Sequence, residues 1–371
     1  MNILVWAGWY PKDEKSYNGI FVKKHLQIIG QKYNLRIFHI TNHRSFSFKV
    51  KQIKNDYGLE RIYFIPNFKI CTFFSFLIIP VYEYLSINRK ADILHVHCSY
   101  PIILFAYVLK LFGLKKIVLT EHWSGYTTYD GAFDKKNALI KKYYSFLISS
   151  IDALSVVSES LLSEMQKRNL VPRKTFITPN VLIFPKQIEN KLSKDFFSFC
   201  TISSLTDYSK NISGLMAVFA EAYSINKNIR LNIYGSGADE EKLKQYLNTL
   251  DIPNDIIQFK GKVNNKSISE VYFKHHAFIL FSNFETFSIA TAEALTHGLP
   301  VIATRSLGPE EYVNEKCGYL VDVKNKQQLK EAILLMYSNY ENFDKEKIIN
   351  YMKSKFSNNI ILSSFDKLYL S

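Results

Sequence analysis

Strand-length apolar runs alternate with helical stretches along most of this chain of 371 residues. Such alternation is typical of a parallel sheet covered by helices. It stops within TPNVLIFPKQIENKLSKD, where Pro179 and Pro185 stand among mixed polar residues, and a second alternating set follows. Because a single hydrophobic core rarely grows beyond about 300 residues, we expect two α/β domains.

Both domains are expected to be doubly wound, Rossmann-like units that face each other across a cleft. Their predicted bounds are residues 1–180 and 194–350, with a linker over 181–193 and a C-terminal helix over 351–371 that returns to the first domain. Ligands of such sheets bind beyond the carboxyl ends of the strands, so the cleft is the expected site.

The pattern predicts seven strands in the first half and six in the second, with helices between them. The predicted strands are Ile3–Trp6, Leu35–Ile40, Arg61–Ile65, Ile93–Val96, Ile117–Thr120, Ala153–Val157, Thr175–Ile177, Phe197–Ser203, Ile229–Tyr234, Ile256–Phe259, Ala277–Phe281, Val301–Ala303 and Tyr319–Val321. Helices are predicted at Ile20–Ile29, Pro101–Leu111, Glu240–Leu250, Gln327–Tyr337 and Lys345–Leu370.

The net charge of +14 is concentrated in the first half of the chain. Residues 1–180 hold 25 Lys and Arg against 12 Asp and Glu, which gives +13, whereas residues 181–371 hold 22 against 21, which gives +1. This asymmetry predicts that the first domain meets an anionic partner. Nucleic acid, an anionic membrane and a diphosphate-bearing substrate all fit the charge alone.

The most apolar run, Ile70–Tyr82, has 13 residues and contains Pro80. A helix that spans a membrane needs about 20 residues, so this run is too short. Two interpretations stay open: a helix in a membrane interface, flanked by Lys69 and Arg89, or a helix buried against the sheet.

The cysteines and the N-terminus indicate a reducing compartment. The four cysteines are scattered without a C-x-x-C pair, and MNILVW starts as a strand with no signal-peptide pattern. We therefore expect a cytoplasmic protein, with the inner face of the cell membrane as a candidate docking surface. His95, His97 and Cys98 stand together, but a structural role is favoured over a metal site, and no metal is predicted.

Five stretches place polar or glycine residues where carboxyl ends of strands are expected. They are SSLTDYSKN with Lys210, IYGSGADEEKL with Gly235 and Gly237, IQFKGKVNNKSI, FETFSIATAEALTHGLPVIA and SLGPEEYV. Loops at such ends present backbone N–H groups and helix N-termini, which suit anions. Taken alone, the G-x-G is a weak signal that also fits a tight turn.

In order and spacing, this set resembles the retaining "group 1" glycosyltransferases of the GT-B fold, which carry an E-x7-E motif. The motifs that carry the resemblance are FETFSIATAEALTHGLPVIAT, SLGPEEYV and CGYLVDV in the second half, and YNGIFVKKHLQII, DILHVHCSYP, VLTEHWSGY, VVSES and ITPNV in the first. The resemblance covers nearly the whole chain. It implies a nucleotide diphosphate sugar as co-substrate and no cofactor.

Glu285 and Glu293 are the two acids of that motif. We expect Glu285 just before or at the start of a helix and Glu293 two turns into it, so that eight residues separate them by about 12 Å along the axis and leave them on roughly one side. An extended nucleotide sugar has a similar length. By the resemblance, Glu285 faces the donor sugar and Glu293 binds the ribose hydroxyls; N-capping for Glu285 and a surface position for Glu293 are the plain alternatives.

Departure of a nucleotide diphosphate needs positive charge near its phosphates. The family usually supplies a Lys and an Arg; Lys210 matches the Lys, but Ser204 stands where the Arg is expected. Arg305, Lys262 and Lys23 are candidate replacements. The sequence has no D-x-D triplet, which favours transfer without a metal.

The resemblance assigns further residues by their positions in the motifs. The catalytic candidates are Glu285, Lys210 and His122, with Glu121 as a group that orients His122 or meets the acceptor. The donor-binding candidates are Gly19, Ser204, Gly235, Gly237, Val263, Phe287, Ser288 and Glu293, with Gly308 and Glu311 as further possibilities. Leu307 departs from the family's paired glycines.

The sequence therefore predicts a retaining, metal-independent hexosyltransferase that moves sugar from a UDP- or GDP-sugar to a glycan or lipid-linked acceptor in polysaccharide or glycoconjugate synthesis. An anionic membrane surface is a candidate partner, and nucleic acid is not expected because it leaves the cleft motifs unexplained. Two rivals remain: another GT-B chemistry, such as a nucleotide-sugar epimerase or a phosphorylase, and a catalytically idle domain that binds sugar nucleotides.

Overall fold

A computed structural model describes residues 1–13, 16, 18–86, 91–186, 192–264 and 267–371. The chain forms two compact units: Met1–Val181 together with Asn358–Ser371, and Leu182–Ser357. The segment that returns to the first unit thus begins at Asn358, not at residue 351. Ser357 has extended backbone angles (φ −63°, ψ 152°) and separates two helices that the sequence pattern joins into one.

The first unit is built on an eight-stranded sheet in the order β3-β4-β2-β1-β5-β6-β7-β8. Its strands are β1 (Asn2–Ala7), β2 (Asn34–His43), β3 (Lys49–Asn55), β4 (Gly58–Pro66), β5 (Ile93–His97), β6 (Lys116–Glu121), β7 (Ala153–Val156) and β8 (Thr175–Ile177). All neighbours are parallel except β3 and β4, which form an antiparallel hairpin. The edge strand β3 was not predicted, because its side chains are largely exposed and its composition is polar.

The helices of this unit cover both faces of the sheet. They are α1 (Ile20–Ile29), α2 (Lys69–Leu85), α3 (Ile103–Ala106), α4 (Ala138–Ser149), α5 (Glu159–Gln166) and α13 (Asn358–Leu370). Residues 107–112 continue α3 as a 3-10 helix, where the pattern predicted one α-helix.

Side chains of β1 show which helices share a face, since successive residues of a strand point to opposite sides. Val5 belongs to a core cluster with Leu26 of α1 and Phe365 of α13. The next residue, Trp6, packs its ring edge-on against Phe76 of α2 at 5.8 Å. Helix α2 therefore covers the face opposite to α1 and α13.

The second unit has a six-stranded sheet in which all strands are parallel, in the order β11-β10-β9-β12-β13-β14. The strands are β9 (Phe197–Ile202), β10 (Ile229–Tyr234), β11 (Ile257–Gly261), β12 (Ala277–Leu280), β13 (Val301–Thr304) and β14 (Gly318–Val321). The helices are α6 (Asp207–Lys210), α7 (Ile212–Ile225), α8 (Glu240–Leu247), α9 (Ile268–Phe273), α10 (Ile289–Thr296), α11 (Lys326–Asn339) and α12 (Lys345–Phe356).

Two Rossmann-like α/β units confirm the predicted fold class. In the second sheet, β10 and β11 are added on one side of β9, whereas β12, β13 and β14 are added on the other. The direction of strand addition therefore reverses between β9 and β12, at their carboxyl ends. In open α/β sheets this is where ligands bind. None of the helices in the described part of the chain has the length and apolar character needed to cross a membrane.

Candidate active site

An ion pair marks the carboxyl edge of the second sheet. The Nζ atom of Lys210 lies 2.6 Å from Oε1 of Glu285, and both side chains are largely shielded from solvent. The Ser282 hydroxyl donates a second hydrogen bond to the same carboxylate oxygen at 2.8 Å. Two residues that the sequence placed in separate motifs thus form one charged site.

Neighbouring strands bring this pair together. Lys210 ends the short helix α6, which follows β9, and Glu285 follows β12, the strand paired with β9. Asn283 ties the two loops, because its N–H donates to the Ser209 carbonyl at 2.8 Å and its side-chain amide donates to the Tyr208 carbonyl at 2.7 Å. The loops are held by backbone bonds, so the position of Lys210 does not depend on the ion pair alone.

The loop after β13 forms the other side of Glu285. Backbone bonds join Glu285 N–H to the Ser306 carbonyl at 2.8 Å and Gly308 N–H to the Glu285 carbonyl at 3.1 Å. Leu307, between them, has φ 82° and ψ −95°, a conformation that side chains rarely adopt. Leucine in place of the family's glycine at position 307 therefore strains the backbone, but the loop after β13 still lies in hydrogen-bond contact with Glu285.

Gly308 permits that approach. A Cβ atom at this position would lie 2.5 Å from Cα of Phe287 and 2.6 Å from its nitrogen. No side chain fits into that space, so Gly308 is required where two loops of the site touch.

Tyr312 supports the same loops and was not predicted. Its buried hydroxyl lies 2.7 Å from the Phe287 carbonyl and 2.9 Å from the Ser288 carbonyl. Because C=O and N–H of one trans peptide unit point in opposite directions, the N–H groups of Ser288 and Ile289 are directed away from Tyr312. These donors lie at the N-terminus of α10, where backbone N–H groups have no acceptor within the helix and suit a phosphate.

The predicted helical spacing of the two glutamates was wrong. Helix α10 begins at Ile289, so Glu285 precedes it by four residues and sits in an isolated bridge with Leu307. Glu293 is only the fifth residue of the helix. An eight-residue helical rise does not separate the acids, because Ser288 takes a left-handed conformation (φ 62°) and turns the chain between them.

Glu293 is a buried acid, with 4% of its surface exposed. Its charge contributes to raising the pKa of Tyr272 well above its ordinary value, although burial of that phenol is the larger cause. The surface-acid alternative is therefore wrong. The ribose-binding role of Glu293 stays a prediction.

The two glycines after β10 allow close packing against the loop after β9. A Cβ atom would lie 1.8 Å from the Ser203 carbonyl oxygen at Gly235, and 2.4 Å from the Leu205 carbonyl oxygen at Gly237. Ser204, between these two contacts, is exposed. The glycines thus hold the Ser204 loop at the same sheet edge as Lys210.

Val263 and Glu311 are two further residues predicted to contact the donor. Val263 is half-buried after β11 and stands two residues before residues 265–266, which lie outside the described part of the chain. Glu311 ends the 3-10 helix Gly308–Glu311, and its carbonyl accepts a hydrogen bond from Lys355 Nζ at 3.0 Å. The candidate replacement Arg305 lies 3.5 Å from Asp322, on the exposed side of its loop.

Gly19 and His122 belong to the first unit. Gly19 precedes α1 with φ 72°, and a Cβ there would lie 2.4 Å from the Trp9 and Tyr10 backbone. His122 follows β6 and is buried with its ring 4.5 Å from that of Phe21. Burial lowers the pKa of His122 well below its usual value, and the charges of nearby histidines act in the same direction, whereas Asn180 opposes them.

Glu121 positions the backbone around His122, not its ring. Its buried carboxylate accepts hydrogen bonds from the N–H groups of Ser99, His122 and Trp123 and from the Ser99 hydroxyl, at 2.6–3.0 Å. Burial raises the pKa of this carboxyl, although all four donors act against that shift. The predicted ring-orienting role is therefore replaced by a backbone clamp.

Within the described ranges, one cluster of side chains has the spacing of metal ligands, and it consists of three buried histidines. The nearest ring nitrogens of His25, His97 and His122 all lie within 4.8 Å of one another. His95 does not join them, because its nitrogens bond to the hydroxyls of Tyr369 at 2.7 Å and Thr120 at 2.8 Å. The rings also pack as a core, with His97 and His122 stacked at 5.9 Å.

Two family models match most of the chain. Residues 184–355 match the model described as "Glycosyl transferases group 1", and residues 28–182 match the model described as "Glycosyltransferase Family 4". The chain is a GT-B glycosyltransferase.

Relatives of this glycosyltransferase include enzymes named for N-acetylglucosamine transfer. The gpi3 subunit of phosphatidylinositol N-acetylglucosaminyltransferase from Schizosaccharomyces pombe is 26% identical over 67% of this chain and 55% of its own length. N-acetyl-alpha-D-glucosaminyl L-malate synthase from Bacillus anthracis is 28% identical over 71% of this chain and 74% of its own. The GtfA subunit of UDP-N-acetylglucosamine–peptide N-acetylglucosaminyltransferase from Streptococcus agalactiae is 26% identical over 70% and 53%. The glycosyltransferase thus spans about half the length of two of these relatives.

Solved structures share its fold. Sucrose-phosphate synthase from Thermosynechococcus elongatus superposes with a TM-score of 0.80 at 15% identity, covering 100% of this chain and 98% of that one. The apo form of the lipopolysaccharide outer core galactosyltransferase WaaB gives 0.75 at 16% identity, covering 100% and 99%. The predicted GT-B fold is therefore confirmed.

Proposed function

We propose that this glycosyltransferase moves a hexose or N-acetylhexosamine from a UDP- or GDP-sugar to a glycan or lipid-linked acceptor, with retention of the anomeric configuration. The observation that carries the proposal is the Lys210–Glu285 pair beside the N-terminus of α10. A cation, a carboxylate and free backbone donors within one loop cluster match the needs of a sugar diphosphate.

In the proposed reaction, Lys210 binds a phosphate oxygen and offsets the negative charge that grows on the departing nucleotide. The phosphate competes with Glu285 for this lysine, so donor binding frees the carboxylate to face the sugar as it becomes cationic. The N–H groups of Ser288 and Ile289 add hydrogen bonds to the diphosphate. Backbone donors then supply part of the compensation that Ser204 does not.

Retention is proposed to follow front-face attack, in which a donor phosphate oxygen accepts the acceptor proton. The glycosidic C–O bond to the phosphate breaks, a new bond forms from the acceptor oxygen on the same face, and the nucleoside diphosphate leaves with that proton. The Ser282 hydroxyl bonds the Glu285 carboxylate, and in this proposal that carboxylate stabilises the cationic sugar by its charge and forms no bond to it. We propose that the step needs no metal.

The first donor to test is UDP-N-acetylglucosamine, because three relatives carry N-acetylglucosamine transfer in their names. Purified protein is screened with UDP- and GDP-sugars for an increase in melting temperature, and then for transfer to glycan and polyprenyl-diphosphate-sugar acceptors. We expect one donor to raise the melting temperature. When the sugar of that donor is bonded axially to the diphosphate, NMR of the product should show an axial glycosidic bond. An equatorial linkage would contradict retention.

The rival functions give different results in the same assay. An epimerase converts donor sugar without acceptor, whereas the proposed enzyme leaves the sugar's configuration unchanged. A phosphorylase requires inorganic phosphate. An idle domain is stabilised by the donor but transfers nothing to any acceptor. Addition of EDTA is expected to leave the rate within twofold of the untreated rate; full loss that Mg²⁺ or Mn²⁺ restores would contradict the metal-free step.

A further inference from the structure

Helix α2 is apolar on the side that packs and on the side that faces solvent. Phe76, Ile79 and Tyr84 lie on the packed side, where Phe76 contacts Trp6 of β1 and Phe105 of α3. On the other side, Ile70 is 73% exposed and Ile78 is 62% exposed. A helix that is apolar all round is normally buried, so this solvent-facing side requires a partner.

The exposed side chains form one stripe along α2. They are Ile70, Phe73, Phe74, Ile78, Tyr82 and Leu85, each more than half exposed. Ile70, Phe74, Ile78 and Tyr82 recur every four residues. Phe73 and Leu85 stand three residues after Ile70 and Tyr82, so all six lie on adjoining turns of one helix side. Contiguous exposed apolar surface of this kind marks an interaction site in soluble domains.

The stripe continues onto neighbouring elements of the first unit. Phe46, 82% exposed before β3, packs its ring 5.4 Å from that of Phe68 at the start of α2. Phe73 of the stripe lies 5.6 Å from Phe105 of α3. The 3-10 helix after α3 adds exposed Leu111 and Phe112.

Helix α4 extends the same layer. Tyr107 is the first residue after α3, and its hydroxyl donates a hydrogen bond to the Leu147 carbonyl of α4 at 2.6 Å. The outer side of α4 exposes Leu139, Ile140, Tyr143 and Phe146. We call the exposed apolar side chains of residues 46–48, α2, the 3-10 helix 107–112 and α4 the apolar face.

Positive charge borders the apolar face. The elements that form the face carry four lysines, of which Lys69, Lys110 and Lys142 are exposed and Lys141 is half-buried. Lys110 lies 3.5 Å from Asp152. The one acid of these elements, Glu83, is buried, and so is Glu60 of the neighbouring β4.

The two buried acids, Glu83 and Glu60, already have partners inside the first unit. Glu83 is held by Arg36 at 2.6 Å and by Arg61 at 3.4 Å. Glu60 accepts hydrogen bonds from the hydroxyls of Tyr10 and Tyr57. Neither acid offsets the exposed lysines, so a partner of this face must carry negative charge beside apolar surface.

A second copy of the chain does not meet that requirement. A two-fold dimer places the same surface on both partners, so it would bring each basic border close to its own copy. An anionic bilayer offers both properties, because acyl chains receive apolar side chains and phosphate headgroups attract lysines.

We propose that the apolar face of the first unit docks on an anionic lipid bilayer, with α2 lying in the plane of the interface. The face inserts its aromatic and aliphatic side chains among the headgroups and upper acyl chains, and Lys69 of α2 and Lys142 of α4 meet lipid phosphates. Docking requires no donor sugar, so it holds or fails independently of the proposed reaction. It would place the first unit beside an acceptor carried on lipid.

The test is co-sedimentation of the full chain with vesicles of phosphatidylcholine alone and of phosphatidylcholine with 30% phosphatidylglycerol, at low and high salt. Binding to the anionic vesicles that high salt weakens at least tenfold is the expected result. Binding to neither vesicle would overturn the proposal, and equal binding to both would overturn its electrostatic part. Free glycerol phosphate at millimolar concentration should not displace the protein, whereas displacement would indicate an isolated phosphate site.

Two variants separate the contributions of the face. Phe74→Ser with Ile78→Ser removes apolar stripe residues, and Ile225→Ser with Leu335→Ser is its control, since these residues are exposed in the second unit. Lys69→Glu with Lys142→Glu reverses the border, and Lys316→Glu with Lys326→Glu makes the same charge change in the second unit. Because each basic side chain near an anionic surface contributes about fivefold in affinity, the border variant should bind roughly 25-fold more weakly than its control.

Other outcomes identify other occupants. If sedimentation velocity shows concentration-dependent dimers that the Phe74→Ser, Ile78→Ser variant abolishes, a second copy covers the face and the bilayer proposal is wrong. If the stripe variant binds vesicles as tightly as its control, the apolar face is not the contact. Circular dichroism and melting temperature verify that every variant is folded.

Discussion

The Lys210 ammonium and the Glu285 carboxylate lie 2.6 Å apart although 75 residues separate them in the chain. Each follows one of two adjoining parallel strands, β9 and β12, so the sheet itself brings them together. In the proposed reaction, this lysine exchanges its carboxylate partner for a phosphate of the donor.

Lys210→Ala is expected to lower kcat/KM for transfer by roughly 100- to 1000-fold, because it removes a preorganised positive charge from the departing diphosphate. The melting temperature should change little more than in the control Lys330→Ala, which removes a lysine paired with Glu221 on the surface. Steady-state kinetics and thermal unfolding measure both effects. Activity within threefold of wild type would show that Lys210 serves only the ion pair.

Glu285→Gln and Glu293→Gln should separate into different kinetic defects. Loss of charge beside the cationic sugar lowers kcat in Glu285→Gln, whereas loss of a donor contact in Glu293→Gln raises KM for the nucleotide sugar. Initial rates over a range of donor concentrations distinguish the two. The same change of kcat and KM in both variants would rule out the division of roles.

Tyr312→Phe tests the support of the α10 N-terminus. It removes one hydroxyl that bonds two backbone carbonyls in a buried place, so we expect a loss of about 1–3 kcal/mol in the free energy of unfolding. Nucleoside diphosphate binding, measured by calorimetry, should weaken because Ser288 and Ile289 N–H groups lose their fixed direction. Tyr143→Phe is the control, since its ring is exposed on α4; a Tyr312→Phe protein as stable as this control would contradict the role.

Gly308→Ala should disrupt the site by a steric clash. The added Cβ would lie 2.5 Å from Phe287 Cα, so the loop after β13 must move away from Glu285. Donor binding is expected to fall at least tenfold while the far-UV spectrum stays unchanged. Gly131→Ala is a control for loss of a glycine without a clash: its added Cβ meets no atom closer than 3.8 Å, so only its positive φ of 60° strains the backbone. Wild-type donor affinity in Gly308→Ala would show that the close approach is dispensable.

The buried histidines predict how stability depends on pH. Burial lowers the pKa of His25 and His39 to about 4 and of His95 to about 3, and lowers that of His97 well below its usual value. The unfolded chain therefore binds protons first as pH falls below 6.5, and the free energy of unfolding decreases from there toward pH 4. Each such histidine contributes a slope of about 1.4 kcal/mol per pH unit.

Urea unfolding between pH 7 and pH 5 measures this slope in a range where most carboxyl groups do not titrate. His97→Phe keeps an aromatic ring and removes one titrating group whose nitrogens have no hydrogen-bond partner among the described residues. Its slope should be shallower by about 1.4 kcal/mol per pH unit. A stability that stays constant from pH 7 to pH 5 would show that these histidines are protonated equally in both states.

The sequence by itself determined the order of most elements and indicated one sheet edge as the candidate site. Apolar runs of strand length predicted thirteen of the fourteen strands in the described ranges, and Lys210, Glu285 and Gly308, which come from separate motifs, lie together at that edge. These features are local, since each depends on residue type and spacing within a few neighbours. Strand β3 escaped because its exposed, lysine-rich side chains carry no burial pattern.

Only the tertiary structure decided which groups meet and which surface stays open. Glu285 lies outside α10 because Ser288 turns the chain and Leu307 of another loop forms a bridge with Glu285. Tyr312 supports the site because its hydroxyl lies against two backbone carbonyls that are 24 and 25 residues away in the chain. Helix α2 shows the same limit. Its sequence is apolar on every side, so periodicity could not tell a buried helix from an exposed one; packing of one side on β1 left the other to solvent.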